Sequence, residues 1–246
     1  MKRYYFLFCI SIGLGYKLPE GISLCHRSQP DFTQCVAKNM RGGILAFKSG
    51  NKEMGVPVLD PYFIEKLEIK PPASGKTVAI HITFNNVYVY GMTTFEIEHL
   101  EIDIDKGCSW TAEFLTPVIR VQADYQIEGQ LMVFTLNAHG KSNVTQNNLR
   151  DQHKMWCEKY QKNGKTHVRI TKYTMDMQPE NNIFEFTNLF PADKAIEDKI
   201  LKTINENNLS IFNELKDGFE QIFSMIYLQT SNKVLSKIPL DELFLP

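Results

Sequence analysis

The side chains of this chain that could do chemistry are its cysteines, its histidines and one run of carboxylates, and their spacing decides what is open to them. Cys25, Cys35, Cys108 and Cys157 form no Cys-x-x-Cys pair, and His26, His81, His99, His139, His153 and His167 are scattered, without the close pairing of zinc ligands. Glu96, Glu98, Glu101, Asp103 and Asp105 alternate with Phe95, Ile97, Leu100, Ile102 and Ile104. That alternation marks the solvated face of a strand, not an acid–base or calcium site. Gly75-Lys76-Thr77 imitates the end of a phosphate loop, but position 70 is Lys and the segment precedes a strand. No serine sits in a nucleophile elbow. The histidines read as structural or solvent-exposed. With no nucleophile set beside a base, no catalytic residue, metal or cofactor is expected, and the function to look for is binding.

What such a chain binds depends on the elements it builds. Residues 192–229 contain no proline and one glycine, and Ile204, Ile211, Phe212, Leu215, Phe219, Ile222, Phe223 and Ile226 recur three or four apart. This is the stripe of a long apolar helix. A helix of about twenty residues is roughly 30 Å long, the width of a small domain, so something must cover it. Pro191 suits the first turn, and Asp193, Glu197 and Asp198 favour the N-terminal end of the helix dipole. The polar run Asn205-Glu206-Asn207-Asn208 either bends the helix or splits it, and Pro239 ends it.

The covering elements read as strands. Val78, Ile80, Ile82 and Phe84 alternate with polar or small residues, and so do Ile119, Val121, Ala123, Tyr125 and Ile127. The apolar parity within residues 95–104 flips near His99, which predicts a bulge of the kind a strongly curved sheet needs. Residues 131–136, 166–177 and 183–186 are further strand candidates, and residues 35–47 predict a short helix. Residues 146–164 are polar and read as a long loop or one irregular helix. The connections are too short for helical crossovers, so the strands should be antiparallel. A curved sheet around an apolar helix can enclose a cavity. Phe212, Phe219, Phe223, Ile226 and Tyr227 are the candidates for its helical wall, each with ordinary core packing as the alternative.

The ends and the charge add the setting. Lys2 and Arg3 precede an eleven-residue, largely apolar stretch at residues 4–14, and Gly13-Leu14-Gly15 supplies small residues for cleavage after Gly15. Residues 1–15 are therefore expected to be a signal peptide, and residues 16–246 one secreted domain. The stretch is too short for a membrane span. The chain carries 27 basic and 28 acidic residues. It has no basic patch with interleaved aromatics and no polybasic cluster, which argues against nucleic acid and anionic membrane. Once Cys9 leaves with the leader, Cys25 and Cys35 pair as an N-terminal clip, while Cys108 and Cys157 form a second bridge or remain free. Asn143-Val144-Thr145 and Asn208-Leu209-Ser210 are sequons and make Asn143 and Asn208 glycosylation candidates.

These elements and several short motifs resemble the insect takeout and juvenile-hormone-binding protein family along the whole mature chain. The resemblance rests on Leu18-Pro19, the Cys25–Cys35 clip enclosing Pro30-Asp31, and Gly50. It continues with Pro57-Val58-Leu59-Asp60-Pro61, Leu67-Glu68-Ile69 and Phe84-Asn85-Asn86-Val87-Tyr88-Val89-Tyr90-Gly91. Tyr125 with Gly129, then Asn188-Leu189-Phe190, Ile204-Asn205-Glu206-Asn207, Asn232-Lys233-Val234 and Ile238-Pro239-Leu240-Asp241-Glu242-Leu243-Phe244 complete it. The positions of Cys108 and Cys157, and Asn207-Asn208-Leu209 where many members have tryptophan, point to the takeout-like branch. The resemblance implies an α+β, TULIP-like fold, in which a long helix is wrapped by a highly curved antiparallel sheet around an apolar tunnel. It implies a secreted, non-enzymatic carrier of a small hydrophobic ligand such as a juvenile-hormone-like terpenoid, a fatty acyl chain or a quinone. It links that carrier to circadian, feeding or chemosensory physiology. The alternative is a secreted interaction or signalling protein with a collapsed tunnel that acts through a protein partner.

Overall fold

The computed structural model describes residues 22–71 and 78–246. The expected leader at residues 1–15 and the Gly75-Lys76-Thr77 segment lie outside them. In chain order the elements are β1 (Cys25–His26), α1 (Phe32–Ala46), β2 (Tyr62–Ile69), β3 (Val78–Tyr90) and β4 (Glu96–Asp103). They continue with β5 (Ser109–Leu131), β6 (Phe134–Lys162), β7 (Lys165–Gln178) and β8 (Asn181–Phe186). The chain ends in α2 (Lys194–Glu206), α3 (Asn208–Leu235), α4 (Leu240–Leu243) and β9 (Phe244–Leu245), which pairs with β1 in parallel.

The spine is the hairpin of β5 and β6, 23 and 29 residues long. At about 3.3 Å per residue such strands far exceed the width of a small domain, so the sheet must coil. Its neighbours change along its length. The second half of β5 pairs with β3 and the first half with β4, while β6 pairs with β8 over residues 142–147 and with β7 over residues 150–162. All these pairings are antiparallel, and β2 extends the sheet beyond β3. The bulge expected near His99 is present between Ile97 and His99, and further register shifts fall between Asn85 and Tyr88 and between Trp156 and Cys157.

Two expectations are overturned. Residues 131–136 are not one strand, because Met132 and Val133 form the turn between β5 and β6. Residues 146–164 are neither loop nor helix but the second half of β6 and the turn after it. The turn is Asn163-Gly164, both at positive φ, the two-residue geometry that matches the twist of a hairpin. The strand escaped a periodicity reading for a physical reason. The buried positions of β6 are even-numbered up to Gln146 and odd-numbered from Leu149. The switch occurs at Asn148 (φ 45°), and on β5 the same switch falls between Thr116 and Ile119, around Pro117. Beyond the kink the inner face of β6 carries Asp151 and His153, so the alternation is no longer apolar against polar.

The helix stripe divides at the polar run: α2 ends at Glu206 and α3 begins at Asn208. Asp193 caps α2 by accepting from the backbone N–H groups of Ala195 and Ile196 at 2.9 and 3.1 Å. The asparagines that interrupt the stripe have a use. Asn205 accepts from Phe184 N–H at 2.8 Å and donates to Phe184 C=O at 2.9 Å, and Asn208 accepts from Asn182 N–H at 2.8 Å. Asn232 treats Ile170 of β7 in the same way, at 2.8 and 2.9 Å. Glu214 and Glu220 accept from Val78 and Met177 N–H at 3.0 and 2.8 Å. The helices thus satisfy free backbone groups at the edges of an unclosed sheet, groups that would otherwise invite another strand.

Asn232→Leu should therefore cost about 2 kcal/mol, because it leaves both backbone groups of a buried residue without their partners. Urea unfolding measures this. A loss no greater than that of an exposed control such as Lys233→Ala would show that the edge bonds contribute nothing.

The core lies between the concave face of β2, β3, β5 and β6 and the inner faces of α2 and α3, with Ile69, Val78, Ile80, Val87, Val89, Leu136 and Ile200 almost fully buried. Gly218 lets α3 approach β2: a Cβ there would sit 3.2 Å from the side chain of Ile69. Both disulfides form. Cys25–Cys35 ties β1 to α1, and Cys108–Cys157 joins the start of β5 to β6, with Cα atoms 5.8 and 5.1 Å apart. Among the described residues no helix is long and apolar enough to cross a membrane.

Candidate ligand-binding site

Beyond the kink of the spine the sheet and α3 no longer close on each other, and the space between them is a cavity of about 370 Å³. This falls in the range of small-molecule sites, about 300 to 1,000 Å³. The sheet supplies Val89, Ile119, Val121, Leu149, Met155, Met175 and Met177. α1 covers one end with Val36, Met40 and Ile44, helped by Phe47 just after it, and the C-terminal segment adds Ile238, Leu243 and Phe244.

Two of the five expected wall residues line this space. Phe223 and Tyr227, one helical turn apart on α3, face it, and Thr230, Ser231, Val234 and Leu235 continue that wall. Phe212, Phe219 and Ile226 are not among the lining residues. Phe212 is buried in the core, Phe219 stacks on it at 6.2 Å between centroids, and Ile226 packs against the same cluster. One stripe thus meets two surroundings: packed side chains of the sheet along the first half of α3, and open space along the second.

Periodicity also missed the polar part of the wall: Thr116, Gln146, Asp151, His153 and Tyr173. Among the histidines, His153 is one that lines the cavity, and it is buried there in a packed, hydrogen-bonded setting. Its ring is buried against Phe114, Tyr227 and Tyr173 at centroid distances of 4.7, 5.5 and 5.7 Å. Its Nδ1 shares a 2.6 Å hydrogen bond with the Tyr173 hydroxyl. Burial lowers the imidazole pKa to about 3, so the ring is neutral at ordinary pH. Burial also raises the Tyr173 and Tyr227 hydroxyls. Gln146 is occupied, donating to the Asn182 side chain at 2.9 Å.

Asp151 differs from these. It is buried, and its Oδ1 has no hydrogen-bond partner. Burial first, then the nearby carboxylates Glu220 and Asp176, pushes its carboxyl up to about 7. Those two neighbours are themselves engaged, since Lys216 pairs with Asp176 and lies 3.5 Å from Glu220. Nε1 of Trp110 is likewise buried without a hydrogen-bond partner, and other atoms of Trp110 contribute to the cavity wall.

The sequons are differently placed. Asn143 lies inside β6, where its amide donates to Glu185, while the Asn208 amide at the start of α3 donates to Asn205 C=O at 2.9 Å. A glycan on either nitrogen would replace that bond. A shallower groove outside the cavity is lined by Asn86, Asp124, Lys141 and Glu185, but Asp124 already accepts from Asn86 at 2.8 Å and from Lys141.

The geometry can be set beside known proteins. The family model described as haemolymph juvenile hormone binding protein matches residues 5–245. The circadian clock-controlled protein daywake of Drosophila yakuba is 19% identical over 215 residues, covering 85% of this chain and 83% of its own. Daywake of Drosophila melanogaster is 20% identical over the same shares. Takeout 1 of Epiphyas postvittana, known from a crystal structure, superposes with a TM-score of 0.81 at 20% identity, covering 91% of this chain and 99% of its own.

Proposed function

We propose, for a chain that belongs to the haemolymph juvenile hormone binding protein family, that it is a secreted carrier of a small hydrophobic ligand and performs no catalysis. The observation that carries this reading is the cavity between α3 and the sheet, walled mainly by valine, isoleucine, leucine, methionine and phenylalanine. A protein acting only through a partner surface needs no such space. Burial provides the affinity: about 0.8 kcal/mol per methylene removed from water, offset by the cost of association. A terpenoid, a fatty acyl chain or a quinone suits that wall. Two disulfides suit an oxidising compartment, and the leader at residues 1–15 supplies the route to it. The name of the daywake relatives supports a circadian setting for the cargo.

Native mass spectrometry of the protein secreted by insect cells tests both parts. The expected result is a chain beginning near Tyr16 with a retained hydrophobic molecule that is released on denaturation. An intact Met1 in the membrane fraction would overturn secretion. An empty protein that takes up no terpenoid, fatty acid or quinone would overturn the carrier and favour action through a protein partner.

A further inference from the structure

The outer face of the sheet carries apolar side chains that take no part in the cavity. One rung there crosses the sheet: Phe63 on β2 opposes Tyr88 on β3, and Tyr88 opposes Gln122 on β5. Gln122 in turn opposes Asn143 on β6, and Asn143 opposes Glu185 on β8. The neighbouring rung runs from Tyr90 through Arg120 and Thr145 to Ile183. Phe63, Tyr88, Tyr90, Val118 and Ile183 are all exposed, and the rings of Phe63 and Tyr88 meet at 5.2 Å between centroids. Exposed apolar residues scattered singly call for no explanation, but several gathered on one face mark a surface that something covers.

The sequon Asn143-Val144-Thr145 places Asn143 on the first rung and Thr145 on the second. Residues two apart on a strand share a face, so the two stand side by side on the outside of the sheet. The bond from the Asn143 amide to Glu185 lies at the surface, where water can replace it. Asn208 is placed otherwise. Its side chain accepts from Asn182 N–H and donates to Asn205 C=O, both part-buried bonds where α3 begins beside β8. In a helix residues two apart do not face each other, so Ser210 points away from Asn208. A glycan on Asn208 would hold the start of α3 off the edge of the sheet.

We propose, resting on the secretion reading, that Asn143 is the glycosylated asparagine and that its glycan lies along the rung over Gln122, Tyr88 and Phe63. The sugars come from an oligosaccharide linked to a lipid pyrophosphate. A bond forms between Nδ2 and C1 of the first sugar, the bond from that C1 to the pyrophosphate breaks, and the amide proton leaves with the released lipid pyrophosphate. Tyr88 is two strands from Asn143, roughly 10 Å at the usual spacing between strands, a distance the first few sugars cover. Their C–H faces stack on the rings of Tyr88 and Phe63, and their hydroxyls meet Gln122 and Arg120, both exposed. In the other direction the rung ends in the carboxylate of Glu185 and offers no ring. A bulky, soluble glycan over these residues keeps the outer face from pairing with other molecules.

Glycopeptide mass spectrometry of the protein secreted by insect cells tests the site. A glycan is expected on the peptide bearing Asn143 and none on Asn208. Thr145→Ala should abolish it, and Thr145→Ser should keep it. Hydroxyl-radical labelling before and after enzymatic removal of the glycan tests where it lies. Labelling of Phe63 and Tyr88 should rise several-fold on removal, while Trp156, exposed near the far end of β6, stays unchanged. A secreted chain with Asn143 bare, or with Asn208 modified, overturns the assignment and leaves the secretion reading standing. A glycan on Asn143 whose removal leaves Phe63 and Tyr88 as they were overturns its placement along the rung. A chain that keeps Met1 in the membrane fraction overturns secretion and this assignment together. The wild-type peptides decide the site even where a variant does not fold.

Discussion

Asparagine in place of Asp151 is expected to stabilise the ligand-free protein above about pH 7 by up to about 4 kcal/mol, and to change nothing below about pH 4. The carboxyl titrates near its ordinary 3.8 in the unfolded chain and at about 7 in the folded one, and each unit of difference is worth about 1.4 kcal/mol. Between those values the folded state holds a proton that the unfolded state has released. Stability therefore falls as pH rises through that window, and the full deficit is present above it. Asparagine never ionises and escapes the deficit. His153 has the opposite sign: its pKa is lowered from 6.5 to about 3, so the stability it contributes is present above 6.5 and lost as pH falls towards 3. In wild type the two slopes oppose each other between about pH 4 and 6.5, and that stretch should be flat. In Asp151→Asn the opposing carboxyl slope is gone, and stability should climb more steeply across the same stretch than in wild type. Urea unfolding at a series of pH values reads both curves, and parallel curves would show that the Asp151 carboxyl titrates normally. A gain of stability on removing a native side chain is unusual, because most substitutions destabilise. It is expected where a buried carboxyl lies near other carboxylates and one of its oxygens has no hydrogen-bond partner.

The same residue shows how far the fold and the site could be read from the chain. Where one strand face is apolar and the other polar, as at Val78–Ile82 and Ile119–Ile127, alternation found the strands, and the parity flip at His99 found a bulge. The apolar recurrence of α3 found the helix, and the resemblance of the motifs pointed to the family that the comparison then showed. Alternation failed on the second half of β6 because a cavity wall is not a core. Its inward positions include Asp151 and His153, placed towards the space they line, and the kink at Asn148 reverses the parity. The local signal that remained was Asn163-Gly164, a hairpin turn whose chemistry does not depend on the faces of the strands it joins. Helical periodicity had a similar blind spot. It identifies residues that face inward, and Phe212 and Phe223 both do, but it carries nothing about whether the opposite side is filled. That depends on β2, β3 and β7, which are remote in sequence.

Alanine at Phe212 and at Phe223 separates those two surroundings. Phe212 is 3% exposed, lies among Ile211, Leu215 and their neighbours in the core, and stacks on Phe219. Its removal leaves a void that close-packed neighbours cannot refill, and Phe212→Ala should cost about 3 to 5 kcal/mol. The affinity for a fluorescent apolar probe should be unchanged once the folded fraction is allowed for. Phe223 has the cavity on one side, so part of its ring lacks partner atoms already and its removal enlarges an existing space. Phe223→Ala should cost about 2 kcal/mol, near the bare transfer term, while the affinity or selectivity for probes changes several-fold. The pair is measured by urea unfolding beside probe titration. The reverse pattern, with Phe212→Ala tolerated but binding lost and Phe223→Ala severely destabilised with binding intact, would move the ligand towards the first half of α3. It would also show that the space beyond the kink is closed in solution. Because the two residues share one helix and one stripe, a difference between them reports the sheet opposite and not the helix itself.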